Sequence, residues 1–152
     1  MQEIKNDIWN FLTNPETDAI CITTNGIVKK NGDLVMGKGI ALEAKLKFPA
    51  LPQIFGNKIK LLGHKLHYTS TLYNNLKPLF LIAFPTKFHY KDPSDINLIK
   101  KSCQELIEFC DTMKLKKIYL PRPGCGNGGL DWNNVKKELS SLLDDRFIIV
   151  SN

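Results

Sequence analysis

The 152-residue sequence lacks features that would assign it to several common classes of protein. It contains no unbroken apolar run of about 18 residues, the length that a membrane-spanning helix requires. Its four cysteines include no C-x-x-C pair, and a chain of this length does not need disulfide bonds to stabilise its fold. It also has no repeats, no low-complexity segment and no linker. These absences predict one domain over residues 1–152, with a core of its own.

A signal peptide is also absent from the amino-terminal segment, which is polar and mixed in charge. Together with the unpaired cysteines, this predicts a cytoplasmic protein, and we expect a monomer that binds no membrane. The formal net charge is +6, but many of the lysines are scattered in pairs rather than concentrated in one stripe. Such scatter is typical of a solvated surface, while attraction to DNA or to a phosphate-bearing ligand stays open.

Strands and helices alternate along most of the chain. Apolar runs bounded by turn residues predict strands, and apolar residues at helical spacing predict helices. Asn74-Asn75 is the expected hairpin turn, Asp92 or Ser94 the expected cap of the longest helix, and Asp131 that of the last. This alternation predicts an α/β sandwich with a mixed central sheet. The predicted strands cover residues 2–9, 18–24, 65–73, 78–86, 116–122 and 147–151, and the predicted helices cover 39–48, 52–62, 93–113 and 131–143.

Two glycine-bearing loops carry the functional signal. Each follows an apolar strand, residues 21–24 in one case and 118–121 in the other, and each leads toward a helix. Glycine lets the backbone approach a ligand closely, and a helix N-terminus offers unpaired N–H groups and the positive end of a dipole. Two such turns at one end of a sheet predict a crevice for a diphosphate.

The first loop also contains a G-x-x-x-x-G-K pattern, from Gly32 to Lys38, which is typical of a triphosphate-binding P-loop. Several features argue against that interpretation. Residues 25–31 separate the strand from Gly32, and Gly39 has no hydroxyl with which to hold magnesium. No aspartate follows an apolar strand in the manner of a Walker B motif. We therefore expect backbone amides to hold the phosphates, with no metal and no cofactor.

Three segments, residues 19–26, 36–49 and 120–132, resemble the macro domain, a family that binds ADP-ribose. The resemblance spans almost the whole chain and implies a three-layer α/β/α fold. The segment FPTKFHY, residues 84–90, is similar to the branch that contains the DNA ADP-ribosyl glycohydrolases (DarG) and the terminal ADP-ribose protein glycohydrolases. That branch carries a catalytic lysine at this place, and Lys87 matches it.

The resemblance also implies which residues bind the ligand. Asp7 and Ile8 match a segment whose acidic side chain accepts a hydrogen bond from the adenine amino group, and Asn25 matches an asparagine near the distal ribose. The animal enzymes have an acidic residue in the second loop, where this sequence has none over residues 124–130, so the general acid or base stays unassigned. The implied first phosphate loop comprises Met36, Gly37, Lys38, Gly39, Ile40 and Ala41, and the second comprises Gly124, Cys125, Gly126, Asn127, Gly128, Gly129 and Leu130.

The function that the resemblance implies is an ADP-ribosyl glycohydrolase, with ADP-ribosylated DNA favoured as substrate and ADP-ribosylated protein carboxylates second. Lys87 would act either as a nucleophile toward the sugar or as a cation that stabilises or protonates the leaving group. An ADP-ribose 1″-phosphate phosphatase and a non-catalytic ADP-ribose reader stay open as alternatives. By position alone, Lys87 is an ordinary surface lysine. His89 and Tyr90 either line the pocket or lie in an exposed loop.

For the cysteines and for His64 and His67, neither catalysis nor metal binding is the favoured interpretation. Cys125 lies between glycines, where the pKa of a thiol can fall, but no histidine is placed as its base, so packing beneath the loop is favoured. Cys103 and Cys110 fall on the apolar face of a helix and are expected in the core. His64 and His67 lack the Cys, Asp or Glu neighbours of a metal site, so none is predicted.

Overall fold

A mixed six-stranded sheet lies at the centre of the computed structural model, which describes residues 1–73 and 77–152. Its strands are β1 (Gln2–Lys5), β2 (Ala19–Thr24), β3 (His67–Thr71), β4 (Leu79–Pro85), β5 (Ile118–Leu120) and β6 (Phe147–Ser151). They lie in the order β1-β6-β5-β2-β4-β3, and the neighbours are parallel except for the antiparallel β3–β4 pair. The predicted mixed sheet is therefore confirmed.

Helices cover both faces of this sheet. On one face, α1 (Gly39–Lys47) and α2 (Leu51–Leu62) pack together with a 3-10 helix, Ile8–Thr13. On the other face lie α3 (Ile96–Met113) and α4 (Trp132–Ser140). This three-layer α/β/α arrangement confirms the predicted fold class. Within the described ranges, no helix is long and apolar enough to cross a membrane.

The central strand β2 contributes to both layers of the core. Ile20 and Ile22 pack with α1 and α2, whereas Ala19 and Cys21 pack with α3 and α4. Successive side chains of a strand point to opposite faces, so a strand covered on both sides must be apolar throughout. This is why the segment appears in the sequence as a continuous apolar run.

Three cysteines lie in the core between the sheet and α3. Cys21, Cys103 and Cys110 are buried free thiols, and burial raises the pKa of Cys103 and of Cys110 to about 12. Thiols with so high a pKa stay protonated and pack as small apolar side chains. The prediction that Cys103 and Cys110 are core residues is confirmed.

The amino-terminal strand is shorter than predicted. It ends at Lys5, because Asp7 begins the 3-10 helix by accepting a hydrogen bond from the backbone N–H of Trp9 at 3.0 Å. The segment therefore leaves the sheet edge and packs on the helical face. The hairpin turn predicted at Asn74-Asn75 lies outside the described residues.

The longest helix begins later than predicted. Asp95 caps α3 by accepting a hydrogen bond from the backbone N–H of Asn97 at 2.9 Å, so neither Asp92 nor Ser94 is its cap. The backbone N–H of Ser94 donates to the carbonyl of Gly128 at 2.9 Å. Ser94 is therefore part of a tertiary contact with the second glycine loop, which the local sequence does not specify.

Candidate functional site

A cavity of about 910 Å³ opens at the edge of the sheet where β2, β4 and β5 end. Its walls include Thr23 and Thr24 from the end of β2, Thr86 after β4 and Pro121 after β5. Ligands of open α/β sheets bind in crevices at the carboxyl ends of parallel strands. A cavity of this size suits a nucleotide-sized ligand.

The first glycine loop, residues 36–41, forms one wall and leads directly into α1. Gly39 is the first residue of that helix and has a φ of +56°, a conformation that favours glycine. Lys38 occupies the N-cap position, but its side chain makes no capping hydrogen bond within the part of the chain that is described. The first N–H groups of α1 thus border the cavity without a side-chain cap, and the helix dipole adds positive potential.

The second glycine loop, residues 124–130, forms another wall. Gly126–Gly128 make a 3-10 turn, and Gly124, Gly126 and Gly129 all have positive φ. Side chains other than glycine rarely adopt that conformation, so the glycines are needed to turn the backbone tightly here. The turn brings main-chain groups to the cavity surface.

The N-terminus of α4 does not take part in this wall, although we expected each loop to open a helix toward the ligand. Asp131 caps α4 as predicted, and its carboxylate accepts a hydrogen bond from the backbone N–H of Asn134 at 3.2 Å. Neither Asp131 nor Trp132 is among the residues that line the cavity. The second loop therefore contributes its turn and not a helix dipole.

The two loops lie side by side. They follow β2 and β5, which are parallel neighbours in the sheet. A Cβ atom placed on Gly39 would lie 3.1 Å from Nδ2 of Asn127, so the Asn127 side chain rests against the start of α1. The structure thus brings both loops to one end of the sheet, as the sequence predicts.

Lys87 lies at the same edge, just past the end of β4, and its half-buried side chain lines the cavity. The backbone on either side of it is fixed. The N–H of Thr86 donates to the carbonyl of Thr24 at 3.0 Å, and the N–H of Gly26 donates to the carbonyl of Phe88 at 2.7 Å. Because these bonds continue the β2–β4 pairing beyond the strands, the sheet sets the position of Lys87.

Asn25 also lines the cavity, but its side-chain amide is occupied by the segment that leads to the first loop. Nδ2 donates to the carbonyl of Val35 at 2.8 Å, and Oδ1 accepts from the N–H of Ile27 at 2.9 Å. Asn25 therefore fixes the backbone between β2 and the first loop.

The predicted adenine contacts lie on the 3-10 helix. Asp7 and Ile8 line the cavity, and the Asp7 side chain is exposed. Glu43 of α1 lines it as well and accepts a hydrogen bond from Nε1 of Trp9 at 2.7 Å. Because Asp7 also accepts from the backbone of Trp9, this tryptophan joins the two carboxylates on one wall.

Three of the predicted residues do not line the cavity. Met36 is buried in the core beneath α1 and α2, Leu130 packs against the core formed by α3 and α4, and Gly129 ends the 3-10 turn. Their side chains or backbone support the loops from behind. The predicted residues that do line it are Asp7, Ile8, Asn25, Gly37, Lys38, Gly39, Ile40, Ala41, Lys87, Gly124, Cys125, Gly126, Asn127 and Gly128.

Polar residues other than the predicted ligand contacts also reach the cavity. Ser94 is buried, and its Oγ has no hydrogen-bond partner among residues 1–73 and 77–152. The guanidinium of Arg122 lies 5.2 Å from the ring centroid of Trp132. Ser94 reaches the site through its backbone contact with Gly128, so no spacing in the sequence marks it. The further lining residues include Thr23, Thr24, Glu43, Thr86, Tyr90, Lys91, Asp92, Ser94 and Arg122.

Cys125 lines the cavity but is poorly suited to act as a nucleophile. Burial raises the pKa of its thiol, whereas a nucleophilic cysteine needs a lowered one. Its Sγ lies 3.7 Å from the carbonyl of Pro123. These observations favour a packing role. No group of three or more His, Cys, Asp and Glu residues that could hold a metal ion occurs among the residues that the structure describes.

The fold and its two loops define an α/β/α module with paired backbone loops at the ends of parallel strands, an arrangement suited to phosphate. The family model of the macro domain matches residues 29–139. The chain therefore belongs to the macro domain family, which confirms the family that its motifs indicate.

Named relatives belong to the branch that the lysine motif indicates. The DNA ADP-ribosyl glycohydrolase of Mycobacterium tuberculosis is 31% identical over 136 residues, covering 87% of this chain and 36% of that protein. The protein of the same name from Thermus aquaticus is 31% identical over 113 residues, covering 72% and 31%. The macrodomain of Mycobacterium tuberculosis DarG superposes with a TM-score of 0.80 at 29% identity, covering 99% of this chain and 97% of that one. The chain thus spans about a third of the named glycohydrolases.

Proposed function

We propose that this chain binds ADP-ribose in the cavity and hydrolyses the bond between ADP-ribose and a modified macromolecule. The observation that carries the proposal is the convergence of both glycine loops and Lys87 on one cavity. The relatives named DNA ADP-ribosyl glycohydrolase favour ADP-ribosylated DNA as the substrate, ahead of ADP-ribosylated protein carboxylates. The net charge of +6 is compatible with a polyanionic substrate.

The diphosphate of the ligand would lie between the two loops. The start of α1 supplies N–H groups and the positive end of the helix dipole, and the 3-10 turn of the second loop supplies main-chain groups. Gly37, Gly39 and Gly126 carry no side chain that would keep a phosphate away from this backbone. Oriented backbone dipoles would therefore contact the diphosphate directly, and the lysine and arginine side chains that line the cavity would add positive charge.

Asp7 and Lys87 would mark the two ends of the bound ligand. The exposed carboxylate of Asp7 can accept a hydrogen bond from the adenine amino group, with Ile8 beside it. Lys87 would lie beside the distal ribose, where ADP-ribose is joined to the macromolecule. Because sheet hydrogen bonds fix the backbone around Lys87, binding the diphosphate would hold the reacting carbon close to its amine.

Two roles for Lys87 are compatible with this arrangement. As a neutral amine it would attack C1″ of the ribose and displace the macromolecule, which takes up the proton, and water would then release ADP-ribose. As a cation it would stabilise or protonate the leaving group directly. We propose Asp92, a carboxylate that lines the cavity from the segment after Lys87, as the group that would move this proton.

We further propose that the protein acts as a monomer in the cytoplasm. Four free thiols are compatible with a reducing compartment.

The test compares turnover by the wild type, Lys87→Ala and Lys38→Ala. Each is incubated with ADP-ribosylated single-stranded DNA, ADP-ribosylated protein or ADP-ribose 1″-phosphate, and released ADP-ribose or phosphate is followed. We expect Lys87→Ala to lose roughly 100-fold or more of its activity on DNA while its affinity for ADP-ribose stays close to that of the wild type. Lys38→Ala, the matched lysine from the first loop, should keep turnover and lose some affinity.

The outcomes separate the candidate functions. Full activity of Lys87→Ala would remove this lysine from the mechanism. ADP-ribose binding without turnover of any substrate would identify a reader, and turnover of the 1″-phosphate alone would identify a phosphatase. A wild-type protein that does not bind ADP-ribose would contradict the whole proposal.

A further inference from the structure

The segment after Lys87 carries two exposed aromatic side chains, of which Tyr90 lines the cavity, and we call residues 88–91 the aromatic loop. Phe88 is 58% exposed and Tyr90 is 44% exposed. Tyr90 and Lys91 line the same cavity as Lys87. Exposed aromatic rings beside a binding cavity indicate a contact surface, because covering such rings is strongly favourable.

Hydrogen bonds and ring contacts hold the aromatic loop in one conformation. The carbonyl of Phe88 accepts from the N–H of Gly26 at 2.7 Å, which ties the loop to the segment after β2. The rings of His89 and Tyr90 stack with centroids 4.3 Å apart and planes 29° apart. Nδ1 of His89 accepts from the N–H of Lys91 at 3.1 Å. A prearranged surface loses less conformational entropy on binding than a mobile one.

His64 supports Phe88 from the protein side. The two rings make an edge contact with centroids 5.5 Å apart, and a Cβ placed on Gly26 would lie 2.6 Å from Nδ1 of His64. Neither ring nitrogen has a hydrogen-bond partner of good geometry in the described ranges. Burial, followed by the charge of Lys101, lowers the pKa of His64, and the nearby main chain of Lys87 only partly offsets this. The neutral imidazole therefore packs beneath Phe88 as a largely apolar support.

Two cations flank the aromatic loop. Lys87 precedes it, Lys91 ends it, and both line the cavity. Asp92 is the adjoining carboxylate, so the local formal charge stays positive. Proteins hold single-stranded nucleic acids with this combination, because aromatic rings stack on bases and cations track the phosphates.

We propose that Phe88 and Tyr90 form a stacking platform for the bases of single-stranded DNA next to the ADP-ribosylated nucleotide. This inference rests on the proposed function, which places the bond between ADP-ribose and DNA beside Lys87. Tyr90 and Lys91 line the same cavity as Lys87, so a DNA strand joined to ADP-ribose there would pass beside the aromatic loop. The platform contributes to substrate binding and tolerates different base sequences, since every base has a π face.

The test measures kcat and KM on an ADP-ribosylated single-stranded oligonucleotide. The variants are Phe88→Leu, Tyr90→Leu, their combination, and Phe88→Tyr, which keeps an aromatic ring. Tyr73→Leu is the control, because Tyr73 is 50% exposed and is not among the cavity residues. We expect the combined leucine variant to raise KM roughly 5- to 100-fold with little change in kcat. Phe88→Tyr should match the wild type, and Phe88→Leu should keep its affinity for free ADP-ribose.

Each further result decides for or against the platform. A KM of the combined variant equal to that of Tyr73→Leu would overturn the platform and leave the glycohydrolase proposal intact. If KM for ADP-ribosylated protein rises as much as KM for DNA, the aromatic loop contacts macromolecules in general and does not stack on bases. If the wild type turns over no substrate, the proposed function fails. The platform is then tested by fluorescence anisotropy with an unmodified single-stranded oligonucleotide. The affinity for this oligonucleotide must fall in the combined variant and not in Tyr73→Leu.

Discussion

The two glycine loops reach the same cavity, but the helices that follow them are placed differently. The first loop passes directly into α1, whose N-cap Lys38 makes no capping bond within the described residues and whose first turn has no acidic residue. The second passes through a 3-10 turn before α4, which the carboxylate of Asp131 caps. The first loop therefore offers a helix dipole to an anion, whereas the second offers the main chain of a turn.

The supports beneath the loops differ as well. A Cβ atom on Gly56 of α2 would overlap the carbonyl oxygen of Gly32 and lie 2.9 Å from the backbone nitrogen of Leu34, in the segment that leads to the first loop. A Cβ on Gly128 would overlap the Ser94 hydroxyl. A serine side chain can turn away more easily than a backbone can move. We therefore expect the first loop to have the more rigid support.

Gly56→Ala should have the largest effect. Alanine usually stabilises a helix interior by about 1 kcal/mol relative to glycine, but here the methyl group would push the backbone of Gly32 aside. We expect a net decrease of about 3 kcal/mol in the free energy of unfolding, measured by urea denaturation. Gly37→Ala is the control, since a Cβ there would meet no atom within 4 Å. Equal stability of the two variants would contradict a rigid support for the first loop.

Gly128→Ala should cost less, about 2 kcal/mol of unfolding free energy, because the Ser94 hydroxyl can rotate. Ser94→Gly removes the obstructing side chain, so the double variant should recover part of the loss. A double-mutant cycle by urea denaturation measures this coupling. Strictly additive effects of the two substitutions would show that the contact does not support the second loop.

Lys38→Asp gives α1 the kind of cap that α4 already has. The carboxylate should stabilise the ligand-free protein by roughly 0.5–1 kcal/mol, because it caps the helix and complements its dipole. It should also weaken ADP-ribose binding by about tenfold, since it occupies the same N–H groups and repels phosphate. Melting temperatures with and without ADP-ribose measure both effects.

The neutral cap Lys38→Ser separates hydrogen bonding from charge and should weaken binding less than the aspartate does. If Lys38→Asp binds ADP-ribose as tightly as the wild type, the start of α1 does not hold the phosphates.

Asp131→Ala should have the smallest effect on the site. Loss of the α4 cap should lower the free energy of unfolding by about 1 kcal/mol, and the affinity for ADP-ribose should not change. Asp131→Ser retains a capping oxygen and should recover most of the stability. Weaker ADP-ribose binding in a folded Asp131→Ala protein would show that the N-terminus of α4 belongs to the binding site.

Most of the fold can be predicted from the sequence because its elements are long and strongly patterned. The continuous apolar run of β2 indicates a buried strand, and the helical spacing of apolar residues in α3 indicates a helix. The 3-10 helix Ile8–Thr13 has no such pattern, since it is short and depends on packing of Ile8, Trp9 and Leu12 against the core. Likewise, Asp95 caps α3 because tertiary contacts hold the residues before it in a loop.

The candidate site is predictable where glycine or a motif lysine marks it. Both loops and Lys87 meet at the cavity because they follow strands that end at the same edge. Position within a motif does not fix the direction of a side chain, and Met36 lies in the core although it begins the first loop. Ser94 reaches the cavity through a contact with Gly128, which is distant in sequence and which local spacing cannot specify.

The most direct test of the central claim is a calorimetric titration with ADP-ribose of the wild type, Lys87→Ala and Lys38→Asp. If the ligand lies between the loops with its distal ribose at Lys87, the wild type and Lys87→Ala will bind it with similar affinity. Lys38→Asp will bind it about tenfold more weakly. No binding to the wild type, or equal binding by Lys38→Asp, would contradict the account.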